Sequence, residues 1–212
     1  MKNSQCGRSM IEMLGVLAII AVLSVGGIAG YSKAMEKWKI NKAVEEYTMM
    51  ITGLLEYTEN LNKNYSEQNK YIANFISQAK LVPDTWKIIN SLYIDDSFGN
   101  RLLPYIGKHS LTVDFYIMHD NNRQTSNFAY QLCMALALDV AYPVLINIDT
   151  GGLFITNDVL PNNKFYTVYR SSCYDSDGTK VKCISEINNA DISKICKSCI
   201  SRSSCNVGIT WQ

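Results

Sequence analysis

The N-terminal part of the sequence lacks proline and is almost without charge. No proline occurs before Pro83, and Glu12 is the single ionisable residue between positions 10 and 30. At about 1.5 Å per residue, a helix over this apolar segment, residues 10–30, rises about 31 Å, which matches the hydrocarbon thickness of a bilayer. The segment therefore predicts a membrane-spanning helix. A carboxylate inside such a helix costs free energy, so Glu12 is a candidate functional residue.

The sequence also lacks the signatures of common enzymes and of nucleic-acid-binding proteins. It contains no G-x-S-x-G, H-E-x-x-H, Walker A or dinucleotide-binding glycine pattern. The only histidines are His109 and His119. The formal net charge of +1 gives no electrostatic basis for binding nucleic acid. We therefore expect a protein that is not an enzyme, has no cofactor and binds no nucleic acid.

Cysteines are concentrated at the C-terminal end. Cys6 precedes the apolar segment, and the six others all follow position 132. An even set of cysteines behind a membrane segment predicts an oxidising compartment and up to three disulfides. The sequence does not choose among their pairings. The candidate disulfide residues are Cys133, Cys173, Cys183, Cys196, Cys199 and Cys205.

Two local cysteine patterns allow more than one interpretation. Cys173 and Cys183 bracket the turn-forming residues 175–178 (Asp-Ser-Asp-Gly), which is compatible with a bridge between them. The same residues resemble part of a calcium loop, but the other ligands of an EF-type loop are missing, and we predict no metal.

The pattern Cys196-x-x-Cys199, followed by Cys205, is also found in zinc and redox sites. A zinc site needs a fourth ligand, and no histidine lies near in sequence. A redox motif is expected beside a βαβ unit, which the pattern of elements does not predict. Structural disulfides are the favoured interpretation.

Downstream of the apolar segment the pattern predicts an α+β domain. Val44, Tyr47, Ile51, Leu54 and Leu61 recur at helical spacing, so the N-terminal helix continues as an amphipathic helix. We predict that this long helix packs on a small antiparallel sheet with a disulfide-rich C-terminal region. Further predicted elements are helices at 71–81, 85–93 and 124–140, a turn at 95–100, and strands at 111–118, 144–148, 152–156 and 165–169.

The residues around Glu12 resemble a known processing motif. Gly7 followed by Arg-Ser-Met-Ile-Glu-Met-Leu is similar to the N-terminal cleavage and methylation motif of type IV pilins and of the pseudopilins of type II secretion systems. The resemblance implies that a prepilin peptidase cuts after Gly7, which leaves Arg8 as the new N-terminus and Glu12 as the fifth residue after the cut. The family usually has Phe, Met or Leu at the new N-terminus and methylates its amino group; here that residue is Arg8. Tyr31 also matches a tyrosine common in the family.

The resemblance assigns roles in assembly to several residues. It implies that Glu12 pairs with the N-terminal amino group of a neighbouring subunit in a bundle of apolar helices. Gly26 and Gly30 have the small-xxx-small spacing of closely packed helices. Cleavage after Gly7 would remove Cys6 and leave an even number of cysteines. A disulfide-closed C-terminal loop is likewise a feature of secreted pilins.

These expectations define a domain order, a location and a set of partners. The order is a leader at 1–7, a transmembrane and assembly helix at 8–30, its amphipathic continuation at 31–62, and a pilin-like globular domain at 63–212 that is rich in cysteine from about position 170. Lys2 and Arg8 precede the apolar segment, which predicts a cytoplasmic N-terminus. The resemblance implies that the membrane is the bacterial inner membrane. Assembly would move the chain to a periplasmic or extracellular filament. The implied partners are other copies of the chain, a prepilin peptidase, the inner-membrane assembly machinery and the lipid bilayer.

Three alternatives to a pilus subunit remain open at this point. The chain could be a pseudopilin of a type II secretion system. It could be a membrane-anchored adhesion or binding protein that never polymerises. It could also be a secreted disulfide protein whose apolar segment is a removable signal peptide.

Overall fold

The structure, a computed structural model, describes residues 10–63, 69–107, 110–117, 127–148, 151–157, 166–169, 182–200 and 205–212. The chain divides into two compact units, the first ending at Lys39 and the second beginning at Ile40. Of the described residues, those of the first unit are helical. The second unit contains helices and a sheet, so the chain has the mixed helical and sheet composition that the sequence predicts.

The longest element is helix α1, which spans Met10–Lys63. Its length follows from the absence of proline, which would remove a backbone donor and interrupt the ladder. Near its end, Lys63 Nζ lies 2.7 Å from Glu59 Oε1. A lysine in the last turn is favourable because it faces the negative end of the helix dipole. The expected long N-terminal helix is confirmed.

Over the described residues, a nine-stranded sheet forms the centre of the second unit, with strand order β2-β3-β4-β5-β9-β6-β7-β8 and β1 paired to β4. All pairs are antiparallel except β7 and β8. The sheet is antiparallel, as expected, apart from that one pair, but it is larger than the small sheet predicted. The strands are β1 Lys70–Tyr71, β2 Lys87–Ile88, β3 Ile94–Asp95, β4 Arg101–Gly107, β5 Ser110–Ile117, β6 Gly151–Asn157, β7 Tyr166–Tyr169, β8 Lys182–Cys183 and β9 Cys205–Trp211.

One hydrophobic core joins the helices to the sheet. Alternate residues of β5 share one face because strand side chains have a period of two. Leu111, Val113 and Phe115 are fully buried in this way. The part of α1 that belongs to the second unit, residues 40–63, is called here the docked segment. It contributes a helical stripe of fully buried side chains, namely Ala43, Tyr47, Met50, Ile51 and Leu54.

A second long helical region follows β5. It consists of α3, Asn127–Ala135, a π-helical segment, Leu136–Ala141, and α4, Tyr142–Leu145. The wider segment precedes Pro143, which has no amide hydrogen to continue an α-helical ladder. The helix predicted at 124–140 is confirmed over its described residues. The strand predicted at 144–148 is wrong, because the helix continues into it and the Ile146 amide donates to the Tyr142 carbonyl.

The helix predicted at 85–93 is also wrong. These residues include β2, which forms a hairpin with β3. The Asn90 side chain accepts hydrogen bonds from the amides of Leu92 and Tyr93 at 2.8 and 2.9 Å, which stabilises the turn instead of a helix.

The remaining predicted elements agree with the structure to different extents. Helix α2 spans Ala73–Gln78, a shorter range than the predicted 71–81, and Lys80 adopts a positive φ of 53° where it ends. The strands predicted at 111–118, 152–156 and 165–169 correspond to β5, β6 and β7. The sequence analysis does not predict the other strands, namely β1, β2, β3, β4, β8 and β9. Helix α5 spans Asn189–Cys196, begins with a capping box formed by Asn188 and Asp191, and is followed by a 3₁₀ helix at Lys197–Ile200.

Candidate functional site

The apolar segment is exposed along its length. Its large side chains are all more than half exposed, from 53% for Ile20 to 84% for Met10. Glu12 lies among them and is exposed as well. Exposed apolar surface on this scale marks a site of contact with lipid or with another protein.

Among the residues that the structure describes, two helical regions are long and apolar enough, by length and composition, to cross a membrane. In the first, Met10–Leu61, the most apolar window is 0% buried. In the second, Asn127–Leu145, the window is 56% buried, and the region contributes Leu132 and Leu136 to the hydrophobic core. The second region therefore has the burial of a core helix, whereas the N-terminal window does not.

The other residues of the predicted assembly motif are only partly within the described residues. Gly7 and Arg8 lie outside the described residues, so cleavage between them and methylation of Arg8 stay predictions. A Cβ added at Gly26 or Gly30 would meet nothing within 4 Å. Tyr31 is exposed. The surface at these two glycines therefore has room for another helix to pack closely.

A buried polar network anchors the docked segment to the β3–β4 turn. The Tyr47 hydroxyl donates a short hydrogen bond to Asp96 Oδ2. Asn100 Nδ2 donates to the same Asp96 oxygen at 2.7 Å and to the Tyr47 oxygen at 3.0 Å. Burial, with the adjacent Asp96 carboxylate, raises the pKa of Tyr47 well above its ordinary value. Tyr47 therefore stays protonated and acts as a structural donor.

The same turn is held from within by Asp96. Its Oδ1 accepts the amides of Phe98 and Asn100, each at 2.8 Å. Gly99 adopts a positive φ of 89°, a backbone conformation that residues with a Cβ rarely adopt. The turn predicted at 95–100 is present, and its function is to receive Tyr47.

Two indole donors attach the docked segment at other points. Trp86 Nε1 donates to Glu46 Oε2 at 2.9 Å, and Trp211 Nε1 donates to Thr58 Oγ1 at 2.8 Å. All four side chains are buried. Together with the Tyr47 network, these bonds fix the rotation and axial position of the docked segment on the rest of the second unit. Hydrogen bonds can do this because they are directional, whereas apolar contacts are not.

Four of the candidate cysteines form two disulfides. Cys133 of α3 pairs with Cys196 of α5, and Cys199 pairs with Cys205 at the start of β9. Cys183 is disulfide-bonded too. Cys173 lies outside the described residues, so a bridge between Cys173 and Cys183 stays a prediction. The expected disulfide-rich C-terminal region is confirmed.

The two disulfides lie against each other. The sulfur atoms of Cys133, Cys199 and Cys205 all lie within 4.8 Å of one another, and Cys196 is bonded to the first of them. All four residues are buried. Cys196-x-x-Cys199 therefore does not form a bridge within itself; each of its cysteines is paired with a different element.

Asp114 is a functional candidate that the sequence does not reveal. It lies at the centre of β5, is 7% exposed, and its Oδ1 has no hydrogen-bond partner in the part of the chain that the structure describes. Burial raises the pKa of Asp114 to about 7. Burial also raises the pKa values of Tyr105 and Tyr116 to about 12, and the charge of Asp114 contributes to both. In the sequence, Asp114 is an ordinary outward-facing residue of an alternating strand.

An open groove of about 480 Å³ lies beside the docked segment. Asp139 is the only acidic or basic side chain among its described lining residues, which include Thr48, Thr52, Pro143 and Asn147. A lone carboxylate does not provide the paired groups that acid–base catalysis uses.

Comparison of the chain with family models, with curated proteins and with solved structures finds no match.

Proposed function

We propose that this chain is a structural subunit of a type IV pilus-like filament. In this proposal a prepilin peptidase cuts after Gly7, and the mature chain assembles through its apolar segment. The observation that carries the proposal is the combination of an uncovered apolar helix with a single carboxylate, Glu12, at its start. A helix that only anchors a protein in a bilayer gains nothing from that carboxylate, which opposes insertion.

The physical role of Glu12 follows from the environment of an assembled filament. Apolar segments packed in a central bundle would exclude water, and an isolated carboxylate buried there needs a partner. Cleavage after Gly7 creates a free amino group on Arg8 of each subunit. Pairing of Glu12 with the Arg8 amino group of a neighbour would satisfy both charges. Because only one axial offset brings the two together, the pair would also set the register between subunits.

The second unit, which begins at Ile40, is suited to a structural role. Within it, residues 40–63 are held by a buried apolar stripe and by buried polar contacts of Glu46, Tyr47 and Thr58. Its C-terminal region is closed by disulfides, which stabilise secreted proteins by constraining the unfolded chain. We propose no catalytic activity for it.

The mature N-terminus tests the proposal directly. The full chain would be expressed with a prepilin peptidase, purified in detergent, and analysed by intact mass and N-terminal sequencing. A start at Arg8 is the expected result, and the mass would also report methylation of its amino group. A start at Met1 would indicate an uncleaved anchor. A start near Tyr31 would indicate a signal peptide, and either result would overturn the proposal.

A substitution of the cleavage site provides the matched control. Gly7→Val should block cleavage, because a prepilin peptidase cuts after glycine in the resemblance on which the proposal depends. Gly15→Val, at a glycine of α1 where an added Cβ meets nothing within 4 Å, should leave cleavage unchanged.

A further inference from the structure

We propose that the sheet carries a binding site for a primary ammonium group, centred on Asp114 and Asn206. Of the side chains that the structure describes, three have a buried oxygen without a hydrogen-bond partner, and two of these oxygens are Asp114 Oδ1 and Asn206 Oδ1. Buried polar atoms are almost always paired in folded proteins, so two unpaired acceptors on neighbouring strands indicate a missing donor. A primary ammonium group has three N–H donors and no acceptor. It is the end of a lysine side chain or of a free alkylamine, which share this chemistry.

Asp114 and Asn206 are diagonal neighbours on one face of the sheet. Asp114 of β5 lies opposite Gly208 of β9. Tyr116, two positions further along β5, lies opposite Asn206. Residues two apart on a strand share a face, and the Cβ atoms of diagonal neighbours lie about 7 Å apart or less. A nitrogen about 2.8 Å from each oxygen bridges oxygens up to about 5.6 Å apart, so one ammonium group can donate to both.

The face that carries these two residues is not the face on which the helices pack. Val113 and Phe115, which alternate with Asp114 along β5, lie in the core together with buried side chains of α1, α2, α3 and α5. The side chain of Asp114 therefore points away from that core. Tyr105 and Tyr116, on the same face as Asp114, are partly exposed. A ligand reaches this face from the side of the tyrosines, and movement of their rings admits it to Asp114, which is 7% exposed.

Aromatic rings surround the carboxyl group. The charge of Asp114 contributes to the raised pKa values of Tyr105 and Tyr116, so both hydroxyls lie near it. Phe154 of β6 lies opposite Gly208, and its ring fills the space where a Cβ of that glycine would lie. Because Gly208 is also the residue opposite Asp114, the phenyl ring lies beside the carboxyl group. Aromatic rings attract cations placed over their faces within about 6 Å.

The charge of the site favours a cation. Burial is the cause that raises the pKa of Asp114 to about 7, and no basic side chain of the described residues offsets it. Arg101, on the same face, is already bound to Asp95 by two hydrogen bonds, at 2.7 and 3.0 Å. A buried carboxylate without a counter-charge is costly, and an ammonium group supplies that charge. A quaternary ammonium group would supply the charge but leave both oxygens without a donor.

Titration of the full chain with n-butylammonium tests the proposal. The detergent-solubilised protein would be titrated by isothermal calorimetry at pH 8, where Asp114 is mostly ionised and the amine is protonated. We expect one amine per chain with a Kd of about 1 mM or lower. Tetramethylammonium, which has the same charge and no N–H, should bind at least about tenfold more weakly.

A second probe separates the two sources of the ammonium group. Nα-acetyl-lysine methylamide presents a lysine side chain as it occurs within a polypeptide. Binding of both this probe and n-butylammonium would assign the site to a lysine side chain. Binding of n-butylammonium alone would assign it to a free alkylamine.

Variants on separate strands identify the groups that bind the amine. Asp114→Asn keeps the shape of the side chain, removes its charge, and should weaken binding of n-butylammonium at least about tenfold. Tyr116→Leu should weaken it about threefold or more, whereas Tyr116→Phe, which keeps the ring, should bind within about twofold of the wild type. Asp84→Asn changes an exposed aspartate outside this face and is the matched control. Circular dichroism reports whether each variant remains folded.

Three results would overturn the proposal. The first is failure of the wild-type chain to bind n-butylammonium. The second is equally tight binding of tetramethylammonium, which would show that the two oxygens are not the acceptors. The third is unchanged binding by folded Asp114→Asn, which would place the amine elsewhere. The comparison of the two cations uses the wild-type chain and does not depend on any variant folding. None of these results bears on cleavage after Gly7.

Discussion

Trp211, the penultimate residue, donates a 2.8 Å hydrogen bond from its indole to Thr58 Oγ1, across 153 positions of sequence. The Thr58 hydroxyl in turn donates to the Leu54 carbonyl at 3.0 Å. Both side chains are buried. Because β9 lies between β5 and β6, this bond ties the docked segment to the middle of the sheet.

Replacing Trp211 by phenylalanine should destabilise the globular unit. We expect the free energy of unfolding to fall by about 1–3 kcal/mol, because Trp211→Phe removes a buried hydrogen bond and leaves space where the larger ring packed. Trp38→Phe is the matched control, since Trp38 is 55% exposed, and it should change stability by about 0.5 kcal/mol or less. Urea unfolding of the detergent-solubilised chain, followed by circular dichroism, measures both. Equal effects would contradict the role given to Trp211.

Neighbouring aspartates should differ sharply in their effect on stability. The Asp96 carboxylate accepts four hydrogen bonds: from the Tyr47 hydroxyl, the Phe98 amide, and the amide and side chain of Asn100. Asp96→Asn places an amide among these donors and should lower the free energy of unfolding by about 2–3 kcal/mol. Asp95→Asn breaks a 2.7 Å ion pair with Arg101 in which both side chains are about a quarter exposed. It should lower the free energy of unfolding by at most about 1 kcal/mol. The same urea experiment ranks the two variants. A larger loss for Asp95→Asn would show that the Tyr47 network is not the stronger contact.

Stability should depend on pH through Asp114. Its pKa is raised from 3.8 to about 7 in the folded chain, so the folded state holds a proton that the unfolded state releases. The free energy of unfolding should therefore fall as pH rises from about 4 to about 7 and level off above that, by at most roughly 4 kcal/mol. Asp114→Asn, which keeps the shape and cannot ionise, should flatten this part of the profile. If the free energy of unfolding of Asp114→Asn fell with pH as steeply as that of the wild type, Asp114 would not be the group responsible.

The sequence predicts those parts of the fold that depend on local periodicity. The spacing of Tyr47, Ile51 and Leu54 predicts the buried stripe of the docked segment. The alternation of Leu111, Val113 and Phe115 likewise identified β5. Both patterns report which side of one element meets the core, and that property is set within a few turns or pleats.

Features that depend on distant partners were missed. Strand β9 contains Gly208, which normally weakens a strand. Here the Phe154 ring occupies the space beside it, 1.9 Å from where a Cβ would lie, so glycine is required by a neighbour on β6. The pairing of Cys133 with Cys196 and the burial of Asp114 likewise result from contacts between elements far apart in sequence. No local pattern carries that information.

Glu12 provides the decisive test of assembly. Glu12→Leu should reduce entry of the subunit into filaments roughly tenfold or more when it is co-expressed with the wild type. The reason is that a bundle of apolar segments would then hold an unpaired N-terminal amino group. Membrane insertion should not suffer, since leucine is more favourable than glutamate inside a bilayer. Mass spectrometry of sheared filaments and of the membrane fraction measures the two separately.

The matched control for Glu12 is another glutamate on the same helix. Glu56→Leu changes an exposed carboxylate of α1 outside the apolar segment, and it should enter filaments as the wild type does. Glu12→Gln distinguishes charge from polarity, because the amide can accept a hydrogen bond from the amino group but cannot neutralise it; its incorporation should lie between those of the wild type and Glu12→Leu. Equal incorporation of all three variants would show that assembly does not depend on pairing of Glu12 with the neighbouring amino group. It would not bear on cleavage after Gly7.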